Sequence, residues 1–273
     1  MKIVRFLDSA AKIPLWGVIE GARVRVLAGA PYDGLALTNA SHALADLRLL
    51  PPADPSKIVC GGLNYHEHAK EVGLSVPRFP VCFLKPPTSL IGHGDPIEYP
   101  LETERLEFEA ELAVVVKRRM RNVPPEQVLD HVLGYTCAND VTARDIQFEG
   151  GNLLNTSVAK SFDTFCPIGP CLATDLDPGN LEMRLTSAGQ TRQATNTNDM
   201  IFSVEAMLSY YSHVMTLLPG DLILTGTPTG VGRMEIGQTY DITIDGIGTL
   251  SNPVVASARR SEAAKSMGTQ SER

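Results

Sequence analysis

The sequence lacks several features that would each point to a particular class of protein. No apolar run is long enough to cross a bilayer, and residues 1–5 form a strand-like pattern without the apolar core of a signal peptide. The formal net charge is −7 and no basic patch is present, which argues against a nucleic-acid partner. We therefore expect a cytoplasmic protein that binds neither membranes nor nucleic acids.

Cysteine is scarce and scattered. The five cysteines form no Cys-x-x-Cys pair and are odd in number, which predicts reduced, mostly buried thiols rather than a disulfide framework or a zinc site. The glycine loop 226–232 also lacks the Gly-Lys-Ser/Thr of a phosphate-binding P-loop. The remaining composition is that of an ordinary globular protein, and 273 residues are enough for a sizeable core and an enclosed site.

The most informative stretch is an acidic strand predicted over residues 108–116. Its β-branched residues favour a strand, in which alternate side chains share a face, so Glu109 and Glu111 lie side by side. Two neighbouring carboxylates repel each other and are stable either in water or around a cation. Because the run 112–116 is apolar, we favour a cation, and a solvated pair is the alternative.

A second candidate site lies in a short helix predicted to begin at residue 64 or 65 and to end at Gly73. His68 and Glu71 are three residues apart in it and therefore share one face. A carboxylate that holds one imidazole nitrogen raises the basicity of the other nitrogen, as a general base requires. The alternative is an exposed helix face with a weak ion pair.

A third group of polar candidates follows an apolar strand that ends near residue 138. Asp140 stands where side chains commonly enter a cleft. Arg144 follows four residues later and Gln147 three after that, so a helical turn would align all three on one face.

Two more candidates stand beside flexible segments. Residues 148–158 are rich in Gly and Asn, which is typical of a loop or lid, and Lys160 is a lone cation just beyond them. Thr227 lies in the glycine loop 226–232, where backbone N–H groups and its hydroxyl can approach a small anionic ligand.

The chain divides into three parts at the sequence level. We predict a small N-terminal β domain over residues 1–55, a main domain over 56–258 and a polar, disordered tail over 259–273. Helices are predicted at 122–132 and 203–218.

Five motifs of the main domain together resemble the fumarylacetoacetate hydrolase family. They occur in this order: Gly-Leu-Asn-Tyr-x-x-His at 62–68, Glu-x-Glu at 109–111, Asn-Asp-x-x-x-Arg-Asp-x-Gln at 139–147, Lys-Ser-Phe-Asp at 160–163 and Thr-Gly-Thr-Pro-x-Gly-Val-Gly at 225–232. The resemblance implies a mostly β fold of the α+β class, a mixed β-sandwich roll with a small N-terminal β domain, and a homodimer. The chain departs from the family pattern at residues 152–159, which bears on the details of the substrate.

The resemblance also implies roles for the candidate residues. It implies a divalent metal, Mg²⁺ or Mn²⁺ and in some members Ca²⁺, and oxygen-only ligands suit these hard ions. It implies that the remaining candidates hold the substrate or act on it. The implied assignments are metal ligands Glu109, Glu111 and Asp140, catalytic residues His68, Glu71 and Lys160, and substrate-binding residues Arg144, Gln147 and Thr227.

The implied activity is hydrolysis of a C–C bond in an acylpyruvate, a small anionic 2-oxo acid, through a metal-bound enolate. The same enolate chemistry would also serve an isomerase of 2-hydroxyhepta-2,4-diene-1,7-dioate or a decarboxylase of an oxaloacetate-like acid, as in aromatic-compound catabolism. A non-catalytic metal- or ligand-binding protein is a remote alternative. Such a protein would need the carboxylates but not the His68–Glu71 pair.

Overall fold

The computed structural model describes residues 1–8, 11–151 and 153–270, with side chains up to residue 266. Strands dominate these residues. In chain order they are β1 (Lys2–Leu7), β2 (Pro14–Glu20), β3 (Arg23–Leu27), β4 (Leu37–Ala43), β5 (Arg48–Leu50), β6 (Ile58–Gly62), β7 (Val81–Lys85), β8 (Leu90–Ile91), β9 (Ile97–Tyr99), β10 (Leu106–Phe108), β11 (Ala110–Val116), β12 (Val132–Asn139), β13 (Thr142–Ala143), β14 (Cys166–Ala173), β15 (Glu182–Ser187), β16 (Gln190–Asn196), β17 (Leu222–Leu224), β18 (Gly232–Arg233), β19 (Thr239–Ile244) and β20 (Gly248–Ala256).

The α-helices are few and mostly short. They are α1 (His66–Glu71), α2 (Arg144–Gln147), α3 (Thr156–Ala159), α4 (Val204–Val214) and α5 (Ala258–Gln270). Short 3-10 helices occupy Leu44–Asp46, Pro87–Ser89, Pro125–His131, Glu149–Gly151 and Thr197–Asp199. None of the described helices combines the length and the hydrophobicity that crossing a bilayer requires.

A large mixed sheet forms the centre of the molecule. Its main path runs β4-β3-β2-β1-β14-β12-β11-β17-β6-β7, and β6 pairs with β17 in parallel while the other neighbours on this path are antiparallel. The N-terminal strands join this sheet where β1 pairs with β14. The first 50 residues are thus a continuation of the central sheet.

Two smaller sheets complete the fold. One has the order β16-β15-β19-β20-β9, and the other consists of β13, β10 and β18. Side chains from the central and five-stranded sheets share one buried core, to which Leu112, Val114, Leu185, Ile242 and Leu250 belong. The predicted mostly β fold with mixed sheets and a small N-terminal unit is confirmed.

The predicted acidic strand is two strands. Glu109 lies between β10, which pairs with β13 and β18, and β11, which pairs with β12 and β17. The chain therefore passes from the three-stranded sheet to the central sheet at Glu109.

Three other predicted elements differ from the structure. The helix predicted at 122–132 is a 3-10 helix, Pro125–His131. The long helix ends at Val214, because Leu217 pairs with Met120 in an extended bridge. The tail predicted to be disordered from residue 259 is helical in α5, where Arg260 stacks on Tyr99 with its guanidinium carbon 4.6 Å from the ring centre. Residues 271–273 lie outside the described residues.

Asp221 fastens the segment that links the N-terminal unit to the main domain. Its buried carboxylate accepts hydrogen bonds from the Ser56 backbone N (3.1 Å), the Ser56 hydroxyl (2.7 Å) and the Leu218 N–H (2.7 Å), and it pairs with Lys57. The start of β6 and the turn before β17 are thereby held together at one carboxylate.

Replacing Asp221 by Asn is expected to lower the free energy of unfolding by about 3 kcal/mol. The change removes a buried charge from Lys57 and places an amide N–H against the Leu218 N–H. Urea denaturation checks this, with the exposed Asp33→Asn as the matched control. A shift below about 0.5 kcal/mol, the size of an ordinary surface change, would mean that Asp221 is not a structural anchor.

Candidate functional site

The three predicted carboxylates converge where the sheets meet. Strand pairing is the reason, because Ala110 faces Asn139 across β11 and β12, and the Asp140 N–H then donates to the Glu109 carbonyl at 2.9 Å. One oxygen of Glu109, one of Glu111 and one of Asp140 lie within 4.8 Å of one another, and all three residues are buried. Their role as metal ligands stays a prediction.

The carboxylates of this cluster differ in their electrostatic surroundings. Burial disfavours the charge of Glu109, but Lys160 and Arg144 outweigh this and hold its pKa at about 2. Burial raises the pKa of Glu111 well above its usual range, and the neighbouring charges of Asp140 and Glu109 add to this. Without a further cation, Glu111 is therefore the unfavourable member of the cluster.

A divalent cation fits this cluster. The Glu111 Oε2 accepts a hydrogen bond from the Gly226 N–H at 2.6 Å, whereas its Oε1 is buried and has no hydrogen-bond partner among the described residues. A buried carboxylate oxygen without a partner is costly, and a metal ion between the carboxylates would remove that cost. The donors are all oxygen atoms, which suits Mg²⁺, Mn²⁺ or Ca²⁺.

Two buried lysines hold the outer edge of the cluster. The Lys160 Nζ lies 2.7 Å from Glu109 Oε2 and 2.6 Å from Asp140 Oδ2, directly after α3. The Lys85 Nζ, at the end of β7, lies 2.6 Å from Asp140 Oδ1 and 3.2 Å from the Val141 carbonyl. Burial opposes the charge of Lys160, but Asp140 and Glu109 outweigh it and raise its pKa. Both lysines therefore orient the carboxylates.

Arg144 and Gln147 lie on α2 as predicted, whereas Asp140 does not share their helical turn, because the strand β13 stands between it and α2. The Arg144 guanidinium donates to Glu107 (Nε, 2.7 Å), to Gln147 Oε1 (2.5 Å) and to Glu109. Burial opposes its charge, but Glu109 and Glu107 outweigh this and raise the Arg144 pKa further. The substrate-binding role of Arg144 and Gln147 stays a prediction.

His68 and Glu71 form the predicted pair on α1. The His68 Nδ1 lies 2.9 Å from Glu71 Oε2, and Glu71 Oε1 accepts from the Gly230 N–H at 3.0 Å. Burial opposes ionisation of Glu71, but the hydrogen bonds from His68 and Gly230 outweigh it and lower its pKa. Because only 7% of His68 is exposed, the alternative of a solvated helix face does not describe this histidine, whereas the Glu71 side chain is 32% exposed.

One cavity joins these groups. Its wall includes His68, the three carboxylates, Lys160, Arg144, Gln147 and Thr227. The predicted lid, 148–158, contributes Phe148, Leu153 and Thr156 to the wall, and Asn152 within it lies outside the described residues. All the site residues predicted from the sequence therefore line this cavity except Glu71, which contacts it through His68.

Three neighbouring residues were missed as site residues. Lys85 ends an apolar strand, which is an unusual place for a lone charge and is the signal that could have found it. Glu107 precedes Glu109 by two residues, as Glu109 precedes Glu111, so all three would share one face of a strand. Extending the predicted acidic strand toward the N-terminus would have included Glu107. Gln193 lies on the distant strand β16 and left no signal in the sequence.

Replacing Glu71 by Gln is expected to lower kcat by about tenfold while leaving metal affinity unchanged. The amide keeps the shape of the side chain but loses the charge that orients the His68 ring. Steady-state kinetics with the substrate of the protein test this. The control is Glu67→Gln, an exposed position on the same helix. An unchanged kcat would remove Glu71 from the mechanism.

The geometry defines a mostly β protein with a buried carboxylate site suited to a divalent cation and, on the same cavity, a histidine held by Glu71. Residues 57–255 match the family model described as fumarylacetoacetate (FAA) hydrolase C-terminal, and residues 1–52 match a model described as Rv2993c-like, N-terminal. The chain belongs to the fumarylacetoacetate hydrolase family.

Named relatives span more than one reaction. Oxaloacetate tautomerase FAHD1 of Arabidopsis thaliana, a mitochondrial protein, is 47% identical over 195 residues, which cover 70% of this chain and 87% of that protein. The structure of 2-hydroxyhepta-2,4-diene-1,7-dioate isomerase from Mycobacterium marinum is 44% identical, with a TM-score of 0.86, and covers 94% of this chain and 99% of its own. Maleylpyruvate hydrolase from Sphingobium sp. SYK-6, in complex with manganese(II) and pyruvate, is 31% identical, with a TM-score of 0.75, and covers 94% and 99%.

Proposed function

We propose that the chain is a Mg²⁺- or Mn²⁺-dependent hydrolase that cleaves a C–C bond in an acylpyruvate. The observation that carries the proposal is that His68, held by Glu71, lines the same cavity as the cluster of Glu109, Glu111 and Asp140. A protein that only bound a metal or a ligand would have no need of the oriented histidine.

The carboxylate cluster would hold the divalent ion. Bound there, the metal would supply Lewis-acid stabilisation of negative charge on the substrate's 2-oxygen, an effect worth several kcal/mol. The manganese and pyruvate in the solved maleylpyruvate hydrolase support a 2-oxo acid as the substrate class.

His68 would act as the general base. With Nδ1 held by Glu71, its other ring nitrogen takes a proton from water, and the water oxygen bonds to the distal carbonyl carbon of the acylpyruvate. The bond between that carbon and C3 then breaks, its electron pair stays on C3 as an enolate, and C3 is protonated. The products are pyruvate and the carboxylic acid of the acyl group, so one water is consumed for each bond broken.

Lys160 is suited to the oxyanion that forms during this attack. An ammonium group has three N–H donors, and two of them point to Glu109 and Asp140. The third is available to a substrate oxygen, so Lys160 could orient the cluster and stabilise developing charge at once.

A second candidate is proton transfer without hydrolysis. It is favoured by the printed activities of the tautomerase and isomerase relatives, which are more similar to this chain than the hydrolase is. His68 would then move a proton between carbon and solvent, and a decarboxylase would use the same stabilised enolate. The arrangement of the site serves each of these reactions.

A substrate panel tests the proposal. Purified protein with Mg²⁺ is incubated with acylpyruvates, oxaloacetate and 2-hydroxydiene diacids, and the products are identified by mass spectrometry. We expect pyruvate plus the free acid from an acylpyruvate, and loss of this activity after EDTA treatment with recovery on adding Mg²⁺. Isomerised product without cleavage would support the second candidate, and full turnover in EDTA would overturn the metal assignment.

We also propose that the chain forms a homodimer, as the family resemblance implied. Light scattering coupled to size-exclusion chromatography measures the mass in solution, which we expect to be twice the chain mass of 29.5 kDa. A mass equal to one chain would contradict this.

A further inference from the structure

Part of the cavity wall is apolar. It is formed by Leu63, Val72, Leu74, Val81 and Phe83, together with Phe148 and Leu153 of the predicted lid. The Phe83 ring centre lies 5.1 Å from Lys160 Nζ, so the apolar wall begins directly beside the charged half of the site.

The cations of the cavity wall already have partners. Lys160 contacts Glu109 and Asp140, and Arg144 donates to Glu107, Glu109 and Gln147, so both cations lie against the carboxylate end of the cavity. Apart from these two and His68, the described residues that line the cavity carry no cationic side chain. A second carboxylate placed against the apolar side chains would therefore meet no cation of its own there, which is unfavourable.

We propose that the preferred substrate is a 2-oxo acid with one carboxylate and an apolar acyl group of several carbons. This inference rests on the proposed function and narrows it. The carboxylate and 2-oxo end faces the charged half, and the acyl group contacts the wall formed by Leu74, Val81 and Phe83. Diacids, which the names of several relatives imply, are disfavoured at this site.

A pair of unreactive oxamates tests the preference by binding alone. N-butyl oxamate and N-(3-carboxypropyl) oxamate have nearly the same shape and differ in the distal carboxylate, and oxalate serves as the reference for the charged half. Calorimetry with Mg²⁺ present is expected to give at least roughly tenfold tighter binding of the butyl compound, the effect of keeping a charge out of an apolar wall. Equal or tighter binding of the carboxypropyl compound would overturn the inference.

The reference separates the two possible failures. If oxalate binds but the carboxypropyl compound is preferred, the substrate class is wrong and the proposed function stands. If neither oxalate nor either oxamate binds, the 2-oxo acid site itself is wrong. Leu74→Arg should shift the preference toward the carboxypropyl compound, whereas the control Val214→Arg, on the exposed end of α4, should not.

A second, independent observation concerns Gln193, whose buried amide reaches the site from β16 in the five-stranded sheet. Its Oε1 accepts from the Ala110 N–H at 2.9 Å, between Glu109 and Glu111. Its Nε2 lies 2.9 Å from the Thr227 hydroxyl and 3.0 Å from the Pro228 carbonyl.

These contacts fix the direction of each hydrogen bond. The Ala110 backbone N–H can only donate, so the amide oxygen must face it and the NH₂ must face Thr227. The Thr227 hydroxyl then accepts from Gln193, and its own hydrogen finds no acceptor among the described residues. Thr227 also lines the cavity, so that hydrogen is available to a ligand.

The geometry points to Gln193 as a positioning residue that makes Thr227 a hydrogen-bond donor toward the anionic substrate. Gln193 acts through Thr227 and does not line the cavity itself. The Gln193 amide therefore contacts the backbone between Glu109 and Glu111 and also sets the direction in which the Thr227 hydroxyl points its hydrogen.

Oxalate affinity in the presence of Mg²⁺ tests this role. Thr227→Val keeps the shape and removes the donor, and we expect oxalate to bind about tenfold more weakly, as for one lost hydrogen bond to a charged group. Gln193→Glu can only accept, so Thr227 should turn its hydrogen toward residue 193 and the same loss should appear.

A double-mutant cycle separates this role from a purely structural one. Once Thr227 is Val, Gln193→Glu should cause little further loss of oxalate affinity, because both changes remove the same donor. Fully additive losses would mean that Gln193 acts on the fold instead. Wild-type oxalate affinity in Thr227→Val, which does not depend on the folding of the Gln193 variant, would overturn the inference.

Discussion

Replacing Asp140 by Asn is expected to abolish magnesium-dependent turnover, with kcat/KM lower by about 10³-fold or more. Asp140 is the carboxylate that both buried lysines contact, through Lys85 on one oxygen and Lys160 on the other. The amide would remove one of the three charges available to a divalent ion and would turn an N–H₂ group toward one of the lysines. We therefore expect the Asp140 variant both to bind the metal more weakly and to lose the native orientation of the lysines.

Two measurements separate these effects in the Asp140 variant. Calorimetric titration with Mn²⁺ should give a much weaker metal affinity, and thermal unfolding reports the cost of leaving buried lysines poorly paired, which is about 3–5 kcal/mol when one partner of a buried pair is lost. Asp130→Asn, on an exposed 3-10 turn, is the matched control. Wild-type turnover in the folded Asp140 variant would remove this residue from the site.

Several residues of the candidate site could be selected from the sequence because their placement depends on local patterns. The alternation of Glu109 and Glu111, and the spacing of His68 and Glu71, each follow from the geometry of one strand or one helix. Their convergence also required Asp140, which comes from a different strand. That could be expected only through the family resemblance, because register between β11 and β12 is not readable from either strand alone.

What could not be predicted depends on contacts between distant parts of the chain. Glu109 lies at a break between two strands because β10 and β11 pair with different partners, whereas the local pattern indicated one continuous strand. The helix α4 ends at Val214 because Leu217 pairs with Met120, although the apolar spacing continues to residue 218. In each case tertiary pairing overrides a local preference.

Gln193 is the clearest case of this limit. It is 83 residues from Ala110, with which it shares a hydrogen bond, and it stands in a polar strand without any unusual neighbour. Lys85 was visible only as a charge after an apolar strand, and its partner Asp140 is 55 residues away. Residues that hold a site in place thus leave weaker sequence signals than residues that carry its chemistry.

Replacing His68 by Ala is expected to lower kcat by about 10²-fold or more while leaving Mg²⁺ affinity unchanged. His68 contacts Glu71 and none of the three carboxylates by hydrogen bond, so its removal leaves the cluster and its lysines intact. The loss falls on kcat because the histidine moves a proton in the reaction and is not needed to hold the anionic end of the substrate. The matched control is His66→Ala, at the exposed start of the same helix.

The metal readout makes the His68 result decisive. If Mn²⁺ binding and oxalate binding are retained and turnover is lost, the site holds its ligand but lacks its base, which is the state that a non-catalytic family member would resemble. Turnover equal to wild type would show that another group moves the proton. Loss of both metal binding and turnover would mean that His68 is needed to hold the three carboxylates in place. The assignment of metal binding to the carboxylates and of proton transfer to His68 would then be wrong.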